Sequence, residues 1–119
     1  MLKRHRLAFK YAHNGLWWAL TTQENYKIHL FLSAIALVLC AFLEVSYYEL
    51  LVILLLIIIG FVVECINTAV ELTLDAIDKD WRHDIGLAKD VAAGAMLLFS
   101  IGALVIAGII FIPKILGLL

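Results

Sequence analysis

The chain has 119 residues, of which 65% are hydrophobic and only 16% charged, with a mean hydropathy of +1.03. Soluble domains run at about 45–50% apolar, so this composition leaves too few polar side chains to clothe a water-exposed surface. A formal net charge of −1 offers no basic field for nucleic acid, and the length fits a single domain, residues 1–119.

Residues 3–22 interleave Lys3, Arg4, Arg6 and Lys10 with Leu7, Phe9, Tyr11, Leu16, Trp17, Trp18 and Leu20. Leu7, Tyr11, Asn14 and Trp18 follow helical spacing. Tryptophan beside basic residues suits an amphipathic helix lying in the cytoplasmic interface, where it could serve equally as an anchor or as part of a site. The basic start lacks an apolar stretch ending in a cleavage site, so no removable signal peptide is expected.

Two apolar runs of fourteen residues follow, Leu30–Leu43 and Leu50–Val63, each short for an isolated span. Only six residues, Glu44 to Glu49, separate them, which implies a tight helical hairpin with Tyr47 and Tyr48 at its tip as an aromatic belt. The second run can extend through Cys65 and Ile66 if its polar residues share one buried face. The third run, Val91–Ile112, has twenty-two residues without a formal charge and crosses a hydrocarbon core of about 30 Å. Lys3, Arg4, Arg6, Lys10 and Lys27 precede the first span, and Lys79, Arg82 and Lys89 lie between the second and third. The tip has no Lys or Arg and the tail has only Lys114. The positive-inside rule therefore puts the N-terminus and the second connection in the cytoplasm, and the hairpin tip and C-terminus outside.

The informative stretch is ECINTAVELTLDAID, residues 64–78. Glu64, Asn67, Glu71, Asp75 and Asp78 fall within an arc of roughly 80° at about 100° per helical residue. Glu64 directly follows an apolar run, where a carboxylate is costly unless it pairs, binds a cation or reaches water, and such residues are functional by default. Stacked acids repel one another, and a hard divalent cation such as Mg²⁺ relieves that repulsion through oxygen ligands. A wet helix end leaving the membrane accounts for Asp75 and Asp78 but poorly for Glu64.

Lys79, Asp80, Trp81, Arg82, His83 and Asp84 follow, then Lys89 and Asp90. Asp90 could simply favour a helix N-terminus and Lys89 could simply set topology. Beside an acidic metal site, Lys89 and Arg82 are also the residues available to hold a polyphosphate. Neither a Walker loop nor a kinase glycine loop is present. Cys40 and Cys65 lack metal-type spacing and read as small buried hydrophobes, and His5, His13, His29 and His83 show no metal spacing either.

ECINTAVELTLD, the fourteen-residue step from Asp75 to Lys89, and AKDVAAGAML resemble the prokaryotic diacylglycerol kinase family, which includes the undecaprenol kinases. The resemblance runs from Tyr11–Gly15–Leu16 through Asn25–Tyr26–Lys27 to the last span. It implies an all-α membrane fold: an interfacial amphipathic helix and three transmembrane helices, assembled as a homotrimer with shared active sites. It also implies Mg²⁺, ATP as phosphoryl donor and a lipid alcohol as acceptor. By position Glu64 looks like the catalytic base and Glu71 like a metal ligand, with Asn67 and Asp75 as supporting polar residues and Lys89 and Asp90 completing the site. Asp80, Trp81, Arg82, Tyr11 and Arg4 match nucleotide-contact positions. Where the family has a further metal-binding glutamate, this chain has Gln23, with Glu24 one place on. Ala92–Ala95 and the FIPK ending (Phe111–Lys114) look more like the undecaprenol-kinase branch than the diacylglycerol branch. The rival from another class is a small transporter or channel subunit with a buried carboxylate, which would give Lys89 and Asp90 no role.

Overall fold

The computed structural model describes residues 2–80 and 82–118, with side chains from Arg4 onward. It consists of four α-helices: α1 (Leu2–Thr22), α2 (Glu24–Phe42), α3 (Tyr47–Ile77) and α4 (His83–Leu116).

α1 confirms the helical spacing expected over residues 3–22, and it is separated from α2 by Gln23 alone. Gln23 is extended (φ −91°, ψ 124°), although its N–H still donates to the Ala19 carbonyl at 2.9 Å. Just before it, the hydroxyls of Thr21 and Thr22 donate to the carbonyls of Trp17 and Trp18 at 2.8 and 2.7 Å. Such back-bonding bends helices. Most of α1 stands exposed, and it packs chiefly on α2.

The hairpin between α2 and α3 is tighter than the apolar runs suggest: residues 43–46, not six residues from Glu44. Glu44 takes a left-handed conformation (φ 47°), and Ser46 opens a reciprocal capping box. Its hydroxyl accepts from the Glu49 N–H at 3.3 Å, and its own N–H donates to Glu49 Oε2 at 2.6 Å. The S-x-x-E pattern satisfies two orphan helix donors at once, so the helix begins at Tyr47. Tyr47 and Tyr48 thus form the first turn of α3, edge to face with ring centroids 5.7 Å apart.

At 1.5 Å per residue α3 is about 46 Å long and α4 about 51 Å, against a hydrocarbon core of about 30 Å. Both helices therefore run well past any membrane-spanning part. Only residues 78–82 link them, and α4 starts eight residues before the apolar run at Val91. At the hairpin end, Cys40, Ile53, Ile110 and Phe111 form the core, and Lys114 bridges to Glu49 at 3.1 Å. Elsewhere the apolar side chains face outward: Phe31, Val38, Phe42, Leu98, Leu104 and Ile109 are all more than half exposed. The radius of gyration is 17.8 Å, well above the ~13 Å typical of a 100-residue soluble domain. The chain hides little of its apolar surface from its surroundings, and α2, α3 and α4 are each long and apolar enough to cross a membrane.

Candidate active site

The polar stripe of α3 meets the first turn of α2 at the end opposite the hairpin. Tyr26 is fully buried there and its hydroxyl donates to Cys65 Sγ at 2.9 Å, with its ring 6.1 Å from that of Phe61. One residue earlier, Asn25 Nδ2 donates to Glu64 Oε1 at 3.1 Å. Glu64 is only 2% exposed, and its other oxygen, Oε2, has no hydrogen-bond partner. One turn on, Asn67 Nδ2 donates to Glu71 Oε1 at 3.2 Å, and the buried Asn67 Oδ1 is likewise unpartnered. Thr68 is buried beside them.

Buried polar atoms without partners are uncommon and each costs about 1–3 kcal/mol, more when charged. Here two of them, both acceptor oxygens, belong to neighbouring turns of one stripe. Such a pair calls for a hydrogen-bond donor or a cation.

The outer part of the stripe is wetter. Asp75 and Lys89 face each other across the α3–α4 turn with Nζ 2.5 Å from Oδ1, which gives the fourteen-residue step its geometric meaning. Asp78 ends α3 and its carboxylate accepts the Asp80 N–H at 2.9 Å. Arg82, the N-cap residue of α4, pairs with Asp84 at 2.8 Å and lies 3.9 Å from Asp78. Asp90 stands exposed two turns inside α4, too far along for a macrodipole role, which fades within the first turn. Asp84 fills that first-turn position instead.

Gln23 and Glu24 sit at the very start of α2, just before Asn25. Glu24 is exposed, and the Gln23 amide reaches no further than Thr22 Oγ1, at 3.4 Å. Arg4 and Tyr11 are exposed on α1, and Trp81 lies outside the described residues. Among the described residues no three His, Cys, Asp or Glu side chains converge on a common metal position. The donor set of the inner stripe beside Glu64 is nonetheless hard oxygen throughout: Asn67 Oδ1 and the Glu71 carboxylate. It fits Mg²⁺, which keeps several waters and takes only one or two protein carboxylates beside substrate phosphates.

The structure thus brings Glu64, Asn67 and Glu71 together and pairs Asp75 with Lys89. It leaves Arg4 and Tyr11 apart on α1. Sequence reasoning missed Asn25 and Tyr26 as neighbours of Glu64, although both lie in the stretch that carried the family resemblance. Cys40 is buried as expected, but Cys65 is half-buried and accepts a hydrogen bond.

The sequence model of prokaryotic diacylglycerol kinase matches residues 10–111. The chain belongs to this family. It is similar to the undecaprenol kinase of Bacillus subtilis (strain 168), with 39% identity over 115 residues covering 95% of this chain and 92% of the relative. It is also similar to the diacylglycerol kinase of Synechocystis sp. (strain ATCC 27184 / PCC 6803 / Kazusa), at 32% identity over 114 residues, covering 95% of this chain and 65% of that longer protein. The matched region contains every candidate residue except Arg4. With three spans and this family, the chain is a multi-pass membrane protein.

Proposed function

We propose that the protein is a lipid kinase that transfers the γ-phosphoryl group of ATP to the hydroxyl of a membrane lipid at the cytoplasmic face of the bacterial inner membrane. The observation that carries this reading is Glu64: a carboxylate buried at the edge of an apolar helix, one oxygen held by Asn25 and the other open. The acceptor oxygen attacks Pγ, the bond from Pγ to ADP breaks, and the hydroxyl proton passes to Glu64 Oε2. A positioned base contributes about 10²–10⁴-fold.

Phosphoryl transfer otherwise asks mainly for positioning and charge neutralisation. Magnesium, when bound with the nucleotide, neutralises phosphate charge. Glu71 would hold it, with Asn67 Oδ1 beside it and Glu24 or Gln23 completing the ligand set. Lys89, Arg82, Asp80, Asp90, Trp81, Tyr11 and Arg4 form the nucleotide side, with α1 lying in the cytoplasmic membrane interface. Lys89 is more than a third exposed in its pair with Asp75. Exposed ion pairs are worth about 0–1 kcal/mol, so phosphate oxygens can take Lys89 over at little cost. Undecaprenol is the favoured acceptor over diacylglycerol, supported by the greater identity and more complete coverage of the first relative. The largely outward-facing apolar side chains and the incompletely satisfied stripe support a homotrimer with sites shared between subunits.

The test is transfer of ³²P from γ-labelled ATP to extracted lipid by the purified protein in mixed micelles, across a panel holding undecaprenol and diacylglycerols. Label in neither lipid, with Mg²⁺ saturating and the protein folded, ends the reading.

A further inference from the structure

α2 buries two side chains against the rest of the fold: Tyr26 near the polar stripe and Cys40 at the hairpin end. Glu24, Asn25, Lys27 and Ile28 are all exposed, so near the stripe α2 is anchored through Tyr26. Among the described residues, Tyr26 and Glu64 are the most completely hidden large side chains. The Tyr26 ring lies against Phe61 with 6.1 Å between centroids, and the His29 ring lies against the same phenyl at 5.8 Å. Phe61 is thus gripped by two residues one turn apart on α2, and it precedes Glu64 and Cys65 by one turn on α3.

The hydroxyl end of Tyr26 carries the finer constraint. A buried tyrosine hydroxyl needs a partner, and here it donates to Cys65 Sγ at 2.9 Å. The preceding residue on each helix makes a second rung: Asn25 donates to Glu64 Oε1 at 3.1 Å. Consecutive residues of a helix point about 100° apart, so the two rungs leave α2 in different directions. One such bond would act as a pivot. Two fix both the register of α2 along α3 and its rotation about its own axis. A slip of one residue carries Asn25 about 1.5 Å along and about 100° around the helix, away from Oε1. Thiol sulfur is a weak, uncharged acceptor, so it satisfies the hydroxyl without placing another charge beside Glu64.

We propose that Tyr26 and Cys65 are positioning residues for Glu64: their bond holds α2 so that the Asn25 amide meets Oε1 and Oε2 stays open to the acceptor hydroxyl. Both act through Asn25. That Glu64 serves as the base rests on the lipid kinase reading; the docking of Asn25 on Glu64 by this pair does not.

Two measurements on the full chain in mixed micelles test this. The first needs no turnover. The asparagines of the chain are Asn14, Asn25 and Asn67, so labelling asparagine alone with ¹⁵N resolves their side-chain amides, and Asn25→Ala assigns the Asn25 signal by its loss. Tyr26→Phe, which keeps the ring on Phe61, and Cys65→Ala should each move the Asn25 amide protons upfield as the carboxylate is released, and leave Asn14 in place. Cys65→Ser, which keeps an acceptor, should stand closer to wild type than Cys65→Ala. The second measurement is kinetic. An ordinary hydrogen bond accounts for about two- to tenfold, so Tyr26→Phe and Cys65→Ala should each lower kcat by that factor with KM for ATP unchanged. Residues that act through one contact mask one another instead of adding. In an Asn25→Ala background Tyr26→Phe should therefore leave kcat as it is, whereas a purely structural role would lower it again. An Asn25 amide that stays put in Tyr26→Phe, or a kcat loss that persists undiminished without Asn25, overturns the proposal. A shifted amide in a protein that phosphorylates no lipid defeats the kinase reading alone, and an unshifted amide in a fully active Tyr26→Phe protein defeats the positioning alone.

Discussion

Asn25, in the first turn of α2, donates a 3.1 Å hydrogen bond to Oε1 of Glu64, thirty-nine residues away on α3. The bond fixes one carboxylate oxygen and leaves the other for chemistry. Hydrogen bonds to charged groups contribute about 1.5–3 kcal/mol, and 1.4 kcal/mol is a factor of ten. Asn25→Ala should therefore cut kcat by roughly 10- to 100-fold with little change in KM for ATP, while Asn25→Gln, which keeps the donor, recovers part of the loss. Steady-state kinetics in mixed micelles distinguish this from a folding defect, which would lower the active fraction of all variants alike.

Glu64→Gln keeps the shape of the side chain and the bond from Asn25 but removes the proton acceptor. Phosphoryl transfer should fall by at least 10²-fold with folding and oligomeric state unchanged. A residual rate above about a tenth of wild type rules out the base. Glu71→Gln should instead raise the Mg²⁺ concentration needed for half-maximal rate, read from a metal titration at saturating ATP.

Lys89 and Asp75 are paired at the surface. Asp75→Asn should leave the melting temperature almost unchanged, since an exposed pair contributes at most about 1 kcal/mol. Lys89→Ala should raise KM for ATP at least tenfold. The doubly exchanged Asp75→Lys, Lys89→Asp protein should restore the ion pair but not nucleotide affinity. If it binds ATP like wild type, as judged by equilibrium dialysis, Lys89 acts only through the pair.

Helical periodicity was enough to find α1 and to align Glu64, Asn67, Glu71, Asp75 and Asp78 on one face of α3. The spans were harder to bound. Apolar runs end where polar residues begin, yet α3 continues through its stripe because Glu64, Asn67 and Thr68 turn inward. The hairpin could have been placed from the S-x-x-E box at Ser46. What no single stretch could show is the pairing across helices. Asn25 with Glu64 and Tyr26 with Cys65 are each thirty-nine residues apart and depend on how α2 docks on α3. The oligomeric state is similarly invisible in a periodicity that marks an apolar face without naming what covers it.

The last prediction concerns the start of α2. Adjacent residues of a regular helix point about 100° apart, so Glu24 could replace a ligand at position 23 only if the backbone departs from helical geometry there. It does: Gln23 is extended, and the helix resumes at Glu24. An amide oxygen can still ligate Mg²⁺ but brings no charge, so the carboxylate at Glu24 is the better second ligand beside Glu71. Glu24→Ala should then lose at least tenfold in rate with partial recovery at high Mg²⁺, and Gln23→Glu should change little. The opposite pattern, a silent Glu24→Ala and a Gln23→Glu variant that reaches half-maximal rate at lower Mg²⁺, assigns the position to Gln23 as a weakened ligand. Both residues immediately precede Asn25, which holds Glu64, so the metal titration, rather than the distance along the chain, decides between them.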